Sequence, residues 1–203
     1  VTGVQTCALP IYASIHSNFK IAAVISNKAD AFGLQRAQRD DIPVEVVEHK
    51  DYADRNEFDL ALQNTIDSYS PDLVVLAGFM RILGADFVSH FSGRILNIHP
   101  SLLPKFPGIN THQRAIDAGE KEHGVSVHFV TEELDGGPVI AQDRVQVAAD
   151  DSAESLAEKV LEKEHLLYPK VVSWYAGGRL ELKDNRALLD GSVLPEEGVQ
   201  VHP

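Results

Sequence analysis

Apolar and polar positions follow two spacings along this chain, and the switches between them mark its elements. Ile21 to Ser26 is an apolar run that ends in a polar turn, which predicts a buried strand. Ala31 to Arg39 predicts a helix and Val44 to Val47 a short strand. Arg55 to Tyr69 carries Phe58, Leu60, Leu62 and Ile66 and predicts a second helix. Leu73 to Ala77 predicts another buried strand, closed by Gly78, and Arg94 to Ile98 a strand that runs into His99. This alternation predicts an α/β fold with a mostly parallel central sheet and helices on both faces. Ligands of such sheets lie at the carboxyl ends of strands. Gly78-Phe79-Met80 and His99 both fall there.

The second half changes character. Val125 to Val130 and Val139 to Val147 predict extended strands separated by a loop that carries Asp135. Ser152 to Tyr168 predicts a helix with Ser152 as its N-cap. Arg179 to Leu182 and Ala187 to Leu189 bracket Asp184-Asn185, the pattern of a hairpin. Gly198 to Pro203 predicts a frayed tail. No repeat or low-complexity tract interrupts the pattern.

The candidate chemistry sits where an apolar strand stops, in Asn97-Ile98-His99-Pro100-Ser101-Leu102-Leu103-Pro104. Alternate residues of a strand point the same way, so Asn97 and His99 can face one reacting atom. Pro100 ends the strand because it has no N–H for the ladder. Glu132-Glu133-Leu134-Asp135-Gly136-Gly137 can bring a carboxylate to the imidazole. An amide donor, a cationic imidazole and a carboxylate suit transfer of an acyl-type group to an amine. The first two stabilise the oxyanion, and the third holds the imidazolium and helps move a proton. No serine or cysteine nucleophile is required. The same residue types also occur at strand ends as plain surface or turn residues, and the triplet alone leaves both readings open.

Composition narrows the partners. The chain has 203 residues, 44% of them hydrophobic, a size and apolar content suited to one domain. A net charge of −12 argues against nucleic acid as a partner. Arg55, Arg81 and Lys105 are candidates for local positive charge, with solvated surface as the alternative. The single cysteine, Cys7, leaves no thiol pair for disulfides or metal. His112, His123 and His128 lack cysteine partners and an HExxH spacing, so no metal is expected. His123 and His128 are expected to be structural, pointing to opposite faces of one strand, and His112 to lie near a substrate loop. No apolar run is long enough to span a bilayer, and a cytoplasmic enzyme without membrane or nucleic-acid partners is expected.

From about Ile21 onward the chain resembles the bacterial phosphoribosylglycinamide formyltransferase family. The resemblance is carried by Ser26-Asn27-Lys28-Ala29-Asp30-Ala31-Phe32-Gly33-Leu34, by Val74 to Leu83, by Asn97 to Gly108, by His123 to Val130 and by Glu133 to Ile140. It implies a Rossmann-like formyltransferase fold and transfer of a formyl group from 10-formyltetrahydrofolate to the amine of glycinamide ribonucleotide, a step of purine biosynthesis. Position by position, it implies Asn97, His99 and Asp135 as the catalytic set. It assigns Arg55, Met80, Arg81, Ile82, Leu83, Thr131, Glu132, Glu133 and Leu134 to the folate. It assigns Pro100, Gly108 and Glu164, with Asn97, to the ribonucleotide. Small-molecule substrates, no metal, and a monomer or weak homodimer are expected. Methionyl-tRNA formyltransferase and formyltetrahydrofolate deformylase share the Asn–His–Asp set, but each would need a further domain. Two alternatives remain: a non-catalytic truncated fragment with residual folate binding, and a formyltransferase of another amine.

Val1 to Ile11 reads like a translated sequencing adapter, with Tyr12 at the junction. Residues 1–11 are therefore expected to be an adapter-derived artefact, and residues 12–203 one formyltransferase domain. The family opens with an apolar strand and a Gly-x-Gly-Ser-Asn loop that cradles the ribonucleotide phosphate at a helix N-terminus. Both are expected to be missing, and Gly3 has no loop context that would replace them. Neighbouring strands would lose ladder bonds of about 0.5–1.5 kcal/mol each. A domain has only about 5–15 kcal/mol of stability. The printed chain is thus expected to melt far below a version with the N-terminus restored. Equal, sharp thermal melts would refute this.

Overall fold

The computed structural model describes residues 19–201. Residues 1–18, on which the adapter reading and the missing first strand and glycine-rich loop fall, lie outside the described residues. Val24–Ser26 (β1) pairs in parallel with Val44–Val46 (β2), joined by helix Phe32–Arg39 (α1). Helix Arg55–Ser68 (α2) then leads to Val74–Leu76 (β3), helix Ala85–His90 (α3), Ile95–His99 (β4) and helix Thr111–Asp117 (α4). Glu122–Phe129 (β5) and Val139–Gln146 (β6) follow, then the long helix Ala153–Ala176 (α5). Leu180–Lys183 (β7), Arg186–Leu189 (β8) and Ser192–Val193 (β9) form a three-stranded meander, and Val199–Gln200 (β10) closes the described chain.

The five-stranded sheet runs in the order β10-β6-β5-β4-β3. Its β3–β4 and β10–β6 pairs are parallel, and β5 runs antiparallel to both neighbours. Each face carries its own core, as alternation within a strand requires. Leu96 and Ile98 of β4 join Val125, Val127 and Phe129 of β5 beneath Leu156, Val160, Leu167 and Val171 of α5. Ile95, one step out of phase, joins Phe58, Leu62 and Ile66 of α2 and Phe87 and Phe91 on the other face. This is the mixed α/β architecture that the alternating pattern predicts. Among the described residues no helix is long and apolar enough to cross a membrane.

Three expectations need correction. The run Ile21 to Ser26 predicts a buried strand, yet β1 is only half-buried along its length. Among the described residues it pairs on one side only, with β2. Helix α5 does not stop at Tyr168 but passes Pro169 and continues to Ala176. A proline inside a helix costs about 3 kcal/mol. Burial of Val171 and Val172 offsets this, at roughly 1.5–3 kcal/mol for each such side chain. The tail at Gly198 is not frayed, because Val199 and Gln200 add a parallel strand against Ala141 and Gln142. His202 and Pro203 lie outside the described residues.

Other local signals hold. Ser152 caps α5 by accepting the Ser155 N–H, and the Ser155 hydroxyl accepts the Ser152 N–H in return. Asp184 and Asn185 both take positive φ and turn β7 into β8. Such a two-residue turn matches the twist of the strands it joins.

Tyr168 ties the long helix to the sheet. It is fully buried, and its hydroxyl lies 2.7 Å from the Leu76 carbonyl oxygen and 3.0 Å from that of Leu96, at neighbouring strands. Tyr168→Phe leaves these carbonyls short of a donor and should lower unfolding free energy by about 1–3 kcal/mol in a urea titration. An unchanged midpoint would show that the hydroxyl bridges nothing of consequence.

Candidate active site

The carboxyl end of β4 presents Asn97 and His99 on the same face as Ile95, away from α5. The antiparallel register sets Asn97 opposite His128 and His99 opposite Ser126. Residues directly opposite in such a pair have side chains in contact range. The Asn97 amide nitrogen accordingly lies 3.2 Å from His128 Nε2. His128 Nδ1 donates to the Phe129 carbonyl at 2.8 Å, which leaves Nε2 to accept from Asn97.

Asp135 arrives from the β5–β6 loop. Its φ of 51° lies in the left-handed region, which aspartate tolerates better than most residues. Gly137 makes this return possible, since a Cβ there would collide with the Phe129 carbonyl. One Asp135 oxygen accepts the Gly108 N–H at 2.8 Å and lies 3.5 Å from His99 Nδ1. The other lies 3.7 Å from His128 Nε2. His99 Nε2 donates to the Phe106 carbonyl at 2.9 Å. His99 is 5% exposed, so the protein sets its ring orientation.

Asn97, His99 and Asp135 are therefore brought together, with the His128 ring packed between the amide and the carboxylate. His128, expected to be structural, lies within this cluster and holds the Asn97 amide. Pairing β5 against β4 would have revealed it, because Ser126 and His128 share one strand face. Asn97 has one amide hydrogen left beyond the His128 bond. The arrangement fixes the His99 Nε2–H and turns Nδ1 toward Asp135, a geometry suited to general acid–base work.

The other expected residues are distributed as follows. Gly108 joins the cluster through its N–H. Pro100 follows His99 directly and is half-buried. Met80, Ile82 and Leu134 leave large apolar surfaces exposed. Leu83 packs against the core beside α2. The Arg81 guanidinium stacks 5.1 Å from the Phe58 ring centroid, and its Nε is buried without a hydrogen-bond partner. Thr131 is half-buried, and Glu132 and Glu133 are exposed. Arg55 stands exposed in the first turn of α2. Lys105 pairs with Glu120 at 2.8 Å, the solvated alternative rather than local site charge. Glu164, on α5, is 7% exposed and makes no hydrogen bond or ion pair among the described residues.

Burial shifts several of these groups. It pushes Glu164 up to about 7 and His123 down to about 4, the latter helped by the neighbouring His112. Burial also lowers His128, opposed by the Phe129 carbonyl and by Asp135. His112 and His123 form a separate pair 3.2 Å apart, so His123 and His128 do belong to different clusters.

Comparison with known proteins follows the same lines. The Formyl transferase family matches residues 2–172, a span that begins within the segment expected to be adapter-derived. Phosphoribosylglycinamide formyltransferase of Escherichia coli (strain K12) is 54% identical over 178 residues, covering 88% of this chain and 84% of that protein. The Haemophilus influenzae enzyme of the same name is 51% identical over 179 residues, with coverage of 88% and 84%. Phosphoribosylglycinamide formyltransferase of Coxiella burnetii, solved in complex with CHES, superposes with a TM-score of 0.92 at 51% identity, over 98% of this chain and 95% of that one.

The two shifted groups have opposite consequences for stability. His123 takes up a proton near its ordinary 6.5 when unfolded but only near 4 when folded, so its contribution is complete above 6.5 and lost as pH falls through about 4. Glu164 holds its proton up to about 7 when folded but only to its ordinary 4.5 when unfolded. Its contribution is complete below 4.5 and lost as pH rises through about 7. Glu164→Gln should therefore stabilise the fold at pH 8, on the order of 1–3 kcal/mol, and change little at pH 4.5. Calorimetric melts at both pH values check this, and equal effects at the two would contradict it.

Proposed function

The chain belongs to the formyl transferase family, and from that premise we propose that it transfers a formyl group from 10-formyltetrahydrofolate to the amine of glycinamide ribonucleotide. The observation that carries this reading is the convergence of Asn97, His99 and Asp135 at the carboxyl end of β4. The relatives and solved structures share that activity in their names, which favours it over a fragment without catalysis and over transfer to another amine. A cytoplasmic setting, a monomer or weak homodimer, and one formyltransferase domain over residues 12–203 belong to the same proposal.

The bound folate supplies the formyl carbon and the nitrogen that leaves it. The acceptor amine attacks that carbon, a C–N bond forms, and the carbonyl electrons move onto oxygen. The free Asn97 amide hydrogen and a proton on His99 Nδ1 stabilise this oxyanion. Removal of one such donor costs about 10²–10³ in turnover. Asp135 takes part in carrying the amine proton to the departing nitrogen, directly or through water. When that C–N bond breaks, its electrons stay on the protonated leaving nitrogen and the carbonyl reforms. His128 keeps Asn97 aimed, because its Nε2 holds one amide hydrogen and leaves the other outward.

On the folate side of the proposal, the exposed side chains of Met80, Ile82 and Leu134 offer apolar cover for a flat heteroaromatic ring. Arg81 belongs to the same folate side. Leu83, Arg55 and Thr131 to Glu133 complete the folate side of the proposal. Pro100, Gly108 and Glu164 form the ribonucleotide side, where the buried Glu164 carboxyl, without a partner among the described residues, suits a hydroxyl-bearing ligand.

An assay of tetrahydrofolate release with glycinamide ribonucleotide, run beside other amines, tests the reading. Preference for the ribonucleotide is expected, and no turnover by a folded protein contradicts it. Asp135→Asn keeps an oxygen for the Gly108 N–H but loses the charge. It should reduce kcat by about 10²-fold or more with little change in melting temperature. An unchanged rate would assign the wrong carboxylate.

A further inference from the structure

We infer that Gln142, backed by Gln200 on the last strand, is a positioning residue for His99. The His99 ring is aimed by the Phe106 carbonyl, so whatever fixes loop 100–106 fixes the ring. Two buried side chains hold that loop from beneath. Ser126, fully buried on β5, accepts the Leu103 N–H at 3.0 Å and donates to the Ser101 carbonyl at 2.7 Å. Gln142, 1% exposed on β6, donates to the Leu103 carbonyl at 2.8 Å and to the Ser126 hydroxyl at 3.0 Å. The Ser101 hydroxyl in turn donates to the Lys105 carbonyl, one residue before Phe106.

Satisfaction of this network is complete, and that makes it directional. The Ser126 hydroxyl gives its one hydrogen and fills both lone pairs. Both hydrogens of the Gln142 amide go to the loop and to Ser126. A carbonyl partner at Leu103 forces the nitrogen of Gln142 to face the loop and its oxygen to face away. That oxygen accepts from Gln200 Nε2 at 3.3 Å. Gln200 is held in turn by the Glu197 carbonyl and by Arg144 Nε, each at 3.0 Å. A chain of hydrogen bonds thus runs from β10, beyond the family match that ends at residue 172, to the loop that sets the His99 ring. Loss of one member of a buried polar network leaves the rest underbonded, so the loop would shift rather than merely soften.

The kinetic part of this inference rests on the formyl-transfer reading, and the exchange part does not. Gln142→Met keeps the volume and removes both donors. Its kcat per folded molecule should fall about tenfold or more, with KM for either substrate within about threefold and a displaced pH–kcat profile, because small misplacement of a catalytic group acts on the reacting geometry. Amide exchange at Leu103, followed without substrate, should accelerate about tenfold, since its acceptor Ser126 loses a partner. Unchanged kcat, pH profile and Leu103 exchange would overturn the inference. Where Gln142→Met does not fold, Gln200→Ala decides at the partly exposed end of the chain. The same directions at about two- to threefold support the proposal, and wild-type kcat with wild-type exchange overturns it. A wild type that does not transfer formyl would defeat the functional reading, and Leu103 exchange would then decide the positioning claim by itself.

Discussion

The structure turns on one carboxylate. Asp135 is drawn out of water beside two imidazoles, and burial of an unpaired ion costs several kcal/mol even after relaxation. The Gly108 N–H at 2.8 Å offsets part of that cost, and His99 and His128 flank the remaining lone pairs. Its backbone sits in the left-handed region, a conformation that costs an L-residue roughly 1–2 kcal/mol. The β5–β6 hairpin holds it there through the close approach of Gly137 to Phe129. A carboxylate placed in this way faces His99 Nδ1 at 3.5 Å, within reach of a proton passed between them.

Everything that meets this carboxylate is delivered by the sheet. The β4–β5 register puts Asn97 beside His128, and the hairpin beyond β5 returns Asp135 to the same pair. Loop 100–108 contributes main-chain atoms only: the Phe106 carbonyl to His99 and the Gly108 N–H to Asp135. The two catalytic partners are thus oriented by one loop at positions two residues apart. That loop is anchored by Ser126 and Gln142 on β5 and β6, so the sheet positions the site twice, once through its side chains and once through the loop above it.

Much of this was legible in the chain itself. The apolar runs at Val74 and Ile95 and the Asp184-Asn185 turn carry local signals strong enough to place their elements. Asn97 and His99 are visible because a period of two and a terminating proline are local features. His128 escaped because its role comes from strand pairing, which a single sequence does not display. The helix expected to end at Tyr168 runs on through Pro169, whose local penalty is real but is outweighed by burial of Val171 and Val172 against the sheet. The last strand was missed since only its parallel pairing with β6 distinguishes Val199 and Gln200 from a loose tail. Glu164 could be named through family resemblance alone, and Arg55 stood out only as a positive charge, because neither lies in a pattern whose chemistry declares itself.

Nitrogen NMR of the His99 and His128 rings across the pH range tests the central arrangement most directly. The account predicts that His99 keeps a proton on Nε2 at every pH at which the chain is folded, and that neutral His128 carries its proton on Nδ1. A neutral His99 with its proton on Nδ1 and a bare Nε2 would contradict the Phe106 anchor, and with it the role assigned to Asp135.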